Sequence, residues 1–96
     1  MFRFRVSKHD LYIKELCQKI KYEYDSLSTN VKIKKKKRFL GEIDVLAKKD
    51  NKIDLYEVKC SFRIVKARKQ AKSLRKHLHV NNIYFYCGAT SSLILL

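Results

Sequence analysis

The chain has 96 residues, 46% of them hydrophobic, and 23 Lys and Arg stand against 9 Asp and Glu for a formal net charge of +14. This length gives one domain, near the lower limit for an unaided core, and the charge favours a polyanionic partner such as nucleic acid. Cys17, Cys60, Cys87, His9, His77 and His79 lack the close spacing of a zinc site, and the longest apolar tract, Ser-Ser-Leu-Ile-Leu-Leu, is too short to cross a bilayer.

In chain order, Phe2, Phe4 and Val6 alternate with Arg3 and Arg5, as in a short strand or a basic arm. No continuous apolar core marks a signal peptide there, and three scattered thiols suit a reducing compartment, so a cytoplasmic protein is expected. Ser7 is a candidate N-cap, with Asp10 three residues on. Ile13, Leu16, Cys17, Ile20 and Tyr24 keep a helical period, predicting a first helix over about 7 to 24. Ser26–Asn30 breaks the pattern, and a strand is expected from Val31 to about Lys36. Further strands are expected over 41–48 and 52–60, joined by Asp50-Asn51, both tolerant of a positive φ. A second helix follows, with Ile64, Ala67, Ala71, Leu74 and Leu78 on its apolar face. Arg63, Lys66, Lys69, Lys72 and Lys76 lie on the opposite face, Asn81-Asn82 ends the helix, and Asn-Ile-Tyr-Phe-Tyr-Cys is β-prone. Residues 91–96 are either a fifth strand or part of a dimer contact. The expected fold class is therefore α/β, with the order α-β-β-β-α-β and no internal domain boundary.

The acids of Gly41–Ser61 carry the chemistry. A two-residue loop at Asp50-Asn51 sets Lys49 opposite Lys52, and the same register sets Asp44 opposite Glu57 and Glu42 opposite Lys59. Asp44 and Glu57 become cross-strand neighbours with Cβ atoms about 4.5–5.5 Å apart, an arrangement that destabilises a sheet unless something offsets the charge. A divalent cation does so: Mg²⁺ commonly takes one or two carboxylates and keeps water on its other positions. Lys59, two residues beyond Glu57 on the same face, can hold a water nearby, which suits metal-assisted phosphodiester hydrolysis. The competing reading is a surface ion-pair network of Asp44, Glu57 and Lys59 worth little.

Gly41-Glu42-Ile43-Asp44-Val45, a turn, then Tyr56-Glu57-Val58-Lys59-Cys60-Ser61 resembles the signature of the PD-(D/E)XK nuclease superfamily, which includes archaeal Holliday junction resolvases and many restriction and repair nucleases. The specific likeness covers 41–61, and the Pro that often precedes the first acid is missing. The resemblance implies a restriction-endonuclease-like core, a mixed sheet flanked by helices, across a single domain of residues 1–96. It implies Mg²⁺ or Mn²⁺ held by Asp44, Glu57 and the Val58 carbonyl, with Lys59 orienting the attacking water. It also implies a further acid on the first helix. Glu15 is taken as that catalytic acid on its matching chain separation, although it falls opposite the apolar stripe; Asp10 lies on the inward face and is the alternative, unless it serves the helix N-terminus. Gln70 resembles a Gln that some members place near the site; the alternative is an ordinary surface residue. Glu42 is either a further ligand or a partner for Lys59.

The run Lys34-Lys35-Lys36-Lys37-Arg38 repels itself without an anion nearby. Lys35, Lys36, Lys37 and Arg38, with Arg63, Lys66, Lys69, Lys72 and Lys76, are the expected nucleic-acid contacts. The six Tyr are expected in the core or strands, and the His residues as structural or phosphate-contacting groups. Small size and the apolar tail point to a homodimer, whose two symmetric sites suit a branched junction. The expectation is a Mg²⁺-dependent endodeoxyribonuclease acting on duplex or branched DNA, similar to a Holliday junction resolvase. The alternatives are a non-catalytic nucleic-acid-binding module of the same fold and an RNA-directed nuclease.

Overall fold

A computed structural model describes residues 7–96, so the expected strand or basic arm at Phe2–Val6 lies outside the described residues. The element order is α1 (Lys8–Ile20), a 3-10 turn (Lys21–Glu23), β1 (Ser26–Lys35), β2 (Arg38–Lys49), β3 (Lys52–Lys59), α2 (Ile64–Arg75), β4 (Asn82–Cys87) and β5 (Ser92–Leu95). The five strands form one sheet in the order β1-β2-β3-β4-β5. Only β3 and β4 run parallel, joined by α2, and the other neighbours are antiparallel. The chain is thus α/β, with a mixed five-stranded sheet and a helix on each face.

Ser7 caps α1 as its position suggests: its Oγ accepts from the Asp10 amide at 3.1 Å. Ile13, Leu16 and Ile20 then bury against Val45, Ala47, Tyr56, Val58 and Tyr86 on one face of the sheet. On the other face α2 sets Ala71 against Ile43, Leu55 and Ile83, and Ala67 against Phe85 and Cys87. Burying each Leu or Ile contributes about 1.5–3 kcal/mol, so these two faces carry most of the fold's stability. The small Ala67 and Ala71 bring the α2 backbone close to the sheet.

Several boundaries differ from the sequence expectation. Ser26–Asn30 is not a break but the first half of β1, paired residue by residue from Ser26↔Lys48 to Thr29↔Val45. The helix expected to reach Asn81 ends at Arg75. The chain then turns, and Asn81 brackets Ile53, its amide donating to the Ile53 carbonyl (2.7 Å) and its Oδ1 accepting from the Ile53 amide (2.8 Å). Residues 92–95 form the edge strand β5. Tyr22, expected in the core or a strand, is 85% exposed.

Regular pairing fails in β1 and β2 at two places, and the first shapes the site. Leu27, Val45 and Ala47 pack on the α1 face, whereas Val31, Ile33 and Ile43 pack on the α2 face. Strict two-residue alternation would keep Leu27 with Val31 and Val45 with Ile43. The change of face falls at Asn30 and Asp44, which face each other in register but form no ladder pair, and Asn30 has φ 53°. A second irregularity, between Ile33 and Lys34, leaves Leu40 unpaired beside Gly41 at φ 157°, a region essentially confined to glycine.

Candidate functional site

The β2–β3 hairpin has the register read from its turn: Lys49↔Lys52 through Val45↔Tyr56, with Asp50 at φ 52°. Pairing stops at Val45↔Tyr56, one step before Asp44 and Glu57. In this register the next carbonyl for the Val58 amide would be that of Ile43. The Asp44 carboxylate takes the bond instead, Oδ2 accepting from the Val58 amide at 2.8 Å. The ladder stops here, so Asp44 is held by β3 backbone while Glu57, on the α2 face, lines the cleft with Gln70.

Both acids are buried, Asp44 at 7% and Glu57 at 8% exposure. Burial pushes the Glu57 carboxyl up, the Asp44 charge pushes it further, and the Lys59 ammonium at 2.9 Å from Oε1 opposes both. Asp54, the third buried acid, is different: it accepts from the Tyr24 hydroxyl at 2.6 Å and from Asn82 Nδ2 at 3.1 Å. Burial and the bond to Asp54 push the Tyr24 hydroxyl well up, keeping it a donor. Asp54 is thus satisfied by neutral donors, whereas Asp44 and Glu57 are two carboxylates set against each other.

They open into a cleft of about 540 Å³ lined by His9, Asp10, Asn30, Phe39, Gly41, Glu42, Asp44, Glu57, Lys59 and Gln70. Asp44, Glu57 and Lys59 are therefore gathered in one cleft, the two acids buried and Lys59 half-buried rather than spread as an exposed ion-pair network. Glu42 lines the cleft too, but the β2–β3 ladder does not extend to a Glu42↔Lys59 pair. Lys59 bonds Glu57 instead.

Glu15, the helix acid suggested by chain separation, does not line the cleft. It accepts from the Tyr86 hydroxyl at 2.9 Å and pairs with Lys19 at 3.2 Å, bonds that hold its carboxyl below the usual range. Asp10, one turn nearer the start of α1, is the helix acid in the lining. The helical angle that set Glu15 away from the inward stripe outweighs its matching separation.

One residue gains a place that the sequence did not give it, and a second, Gln70, lines the cleft near which the resemblance set it. His9, isolated from the other His in sequence, sets Nε2 at 2.9 Å from the Val58 carbonyl and 3.4 Å from Asp44 Oδ2. The signal for it was weak: a His one residue before Asp10 on the helix expected to approach the acids. Gln70 is not a plain surface residue, because its Oε1 is buried among the described residues without a hydrogen-bond partner. A buried polar atom without a partner costs about 1–3 kcal/mol.

No group of three or more His, Cys, Asp or Glu side chains forms a metal cage among the described residues. The cleft lining offers the Asp10, Glu42, Asp44 and Glu57 carboxylates, the orphaned Gln70 Oε1 and the His9 imidazole, and the Val58 carbonyl stands behind His9. Apart from His9 these are oxygens, the hard donors that Mg²⁺ and Mn²⁺ take, and an ion that keeps several waters needs only one or two of the carboxylates.

The expected cations are all exposed. Lys36 and Lys37 form the β1–β2 turn at φ 49° and 65°, and Lys35, Lys36 and Arg38 share a hollow with His77 beyond the end of α2. The β1–β2 turn therefore lies against the segment that follows α2. Arg68 and Arg75 on α2 are exposed cations that the spacing rule left out.

No family model matches the chain, and no curated protein matches it. Among the described residues no helix is long and apolar enough to cross a membrane.

Proposed function

We propose that this chain is a metal-dependent endonuclease of the PD-(D/E)XK type, with a restriction-endonuclease-like core, hydrolysing DNA phosphodiester bonds. One observation carries the reading: two carboxylates from adjacent strands are buried together, with a lysine beside them, in a cleft on a strongly basic protein. Asp44, Glu57 and the Val58 carbonyl would hold Mg²⁺ or Mn²⁺. When bound, the ion supplies charge stabilisation at the phosphate and lowers the pKa of a water. The Val58 amide fixes Asp44 in one rotamer, and Lys59 holds a water or a phosphate oxygen beside Glu57. The exposed cations of α2 and the β1–β2 turn bind the phosphate backbone.

Cleavage assays with Mg²⁺ or Mn²⁺ on a four-way junction, duplex DNA, single-stranded DNA and RNA test this. Asp44→Ala and Lys59→Ala should each lower cleavage at least about 100-fold while binding DNA as the parent does. Preferential cutting of RNA would move the substrate class and leave the chemistry intact.

A non-catalytic nucleic-acid-binding module of the same fold has one observation in its favour. His9 Nε2 already contacts both the Val58 carbonyl and Asp44, the groups a cation would use. Salt-sensitive binding without cleavage of any of the four substrates would select it.

A homodimer fits the exposed Leu93 and Leu95 on the edge strand β5. Two copies would present two sites to two strands, which makes a Holliday junction the leading substrate. Sedimentation of the parent beside Leu93→Lys, with loss of the dimer in the variant, tests this.

A further inference from the structure

Beyond the cleft, the segment after β3 exposes an apolar surface where the charge pattern calls for polar residues. Phe62 is 53% exposed and Val65 64%. With Ile64 they floor a hollow of about 380 Å³ whose remaining lining is Arg63, Lys66 and Lys69. Phe62 is not loose: its ring meets Phe85 edge-on at 5.4 Å between centroids. Phe85 belongs to the α2-face core and pairs with Glu57 across the β3–β4 ladder. A half-exposed aromatic ring is thereby held against the ladder partner of Glu57, three residues beyond Lys59.

We infer that Phe62 is a stacking platform for an unpaired nucleobase close to the scissile phosphate, with Arg63, Lys66 and Lys69 binding the flanking phosphates. The inference rests on the nuclease reading above for the position of that phosphate. Charge decides the occupant. A second copy docking here about a two-fold axis would oppose three cations with the same three, with no acid in the hollow to offset them. A nucleic acid brings anions to the rim and a flat apolar ring to the floor, the combination found on single-strand-binding surfaces. Reach agrees: Phe62 is three residues beyond Lys59, so their Cα atoms lie within about 11 Å, or about three nucleotide steps at 3.4 Å each. An uninterrupted duplex keeps its bases paired and cannot use the platform. The surface therefore favours strands with unpaired bases, such as junctions, flaps and loops, as DNA or RNA.

The test is binding without metal, in EDTA, of labelled oligothymidylate, oligouridylate and a duplex of equal length, read by fluorescence anisotropy. Phe62→Leu keeps an apolar contact on Phe85 but removes the π-face. It should weaken binding of both single strands about tenfold and of the duplex less than about twofold. Phe62→Trp should restore single-strand binding, and Val65→Glu, at an exposed position, should lower it by placing an anion on the floor. Equal loss on single strands and duplex, or no loss with Phe62→Leu, overturns the platform. So does a parent dimer that Phe62→Leu dissociates while single-strand affinity stays unchanged, which would assign the patch to self-association. Cleavage takes no part in this measurement. A parent that cuts nothing yet loses single-strand affinity with Phe62→Leu would refute the nuclease reading and leave the platform standing.

Discussion

Glu57 is the residue where the cost of the site is concentrated. Its carboxyl is raised by burial and by the Asp44 charge, more than the Lys59 ammonium lowers it. A carboxyl with a folded pKa above its unfolded one binds its proton more tightly in the folded state. Its contribution to stability is full below the ordinary value of 4.5 and is lost as pH rises through the folded pKa. Glu57→Gln should therefore melt at a higher temperature than the parent at about pH 7, with the gap closing towards about pH 4. Thermal melts followed by circular dichroism at both pH values check this, and a parent more stable than the variant at the higher pH would contradict it. Such a gain on removing a site residue is expected where function holds like charges together.

At the scale of elements, the β1–β2 turn makes a local choice that costs stability, and the α1 docking makes one that fixes a glycine. Lys36 and Lys37 both have positive φ, in a two-residue turn where Asn-Gly would be favoured, and each left-handed non-glycine residue costs roughly 1–2 kcal/mol. Replacing Lys36→Asn with Lys37→Gly should raise stability by about 1–2 kcal/mol and weaken nucleic-acid binding, as urea melts and anisotropy would show. At Gly88 an added Cβ would run into the Tyr12 ring, because α1 presses on the turn after β4. Gly88→Ala should cost about 1–3 kcal/mol in the same urea melts.

The β2–β3 hairpin was legible in the sequence because Asp50-Asn51 sets its own register, and that register delivered Asp44 and Glu57 to one another. The kink at Asn30 and Asp44 was not legible, since both strands change face together and the first half of β1 was not read as a strand at all. Ser26–Asn30 was misread for a related reason: its pairing with Val45–Lys48 overrides a weak propensity. His9 was missed because its role depends on the angle at which α1 crosses the sheet, which periodicity does not fix.

Over the whole molecule, the fold sets the basic β1–β2 turn against the segment that follows α2. If Lys36 and Lys37 each neutralise a phosphate, the double substitution at the turn should flatten the slope of log affinity against log salt on duplex DNA by about 1.8. An unchanged slope would place the DNA on another surface.

Metal-dependent cleavage requires Asp44 and Glu57 to share a divalent cation, and Mn²⁺ titration followed by electron paramagnetic resonance reads that directly. Parent protein should remove about one Mn²⁺ per chain from solution, Mg²⁺ should compete for it, and Asp44→Asn should abolish the uptake. A parent that leaves all the Mn²⁺ free, or an Asp44→Asn variant that takes it up equally well, would contradict the claim.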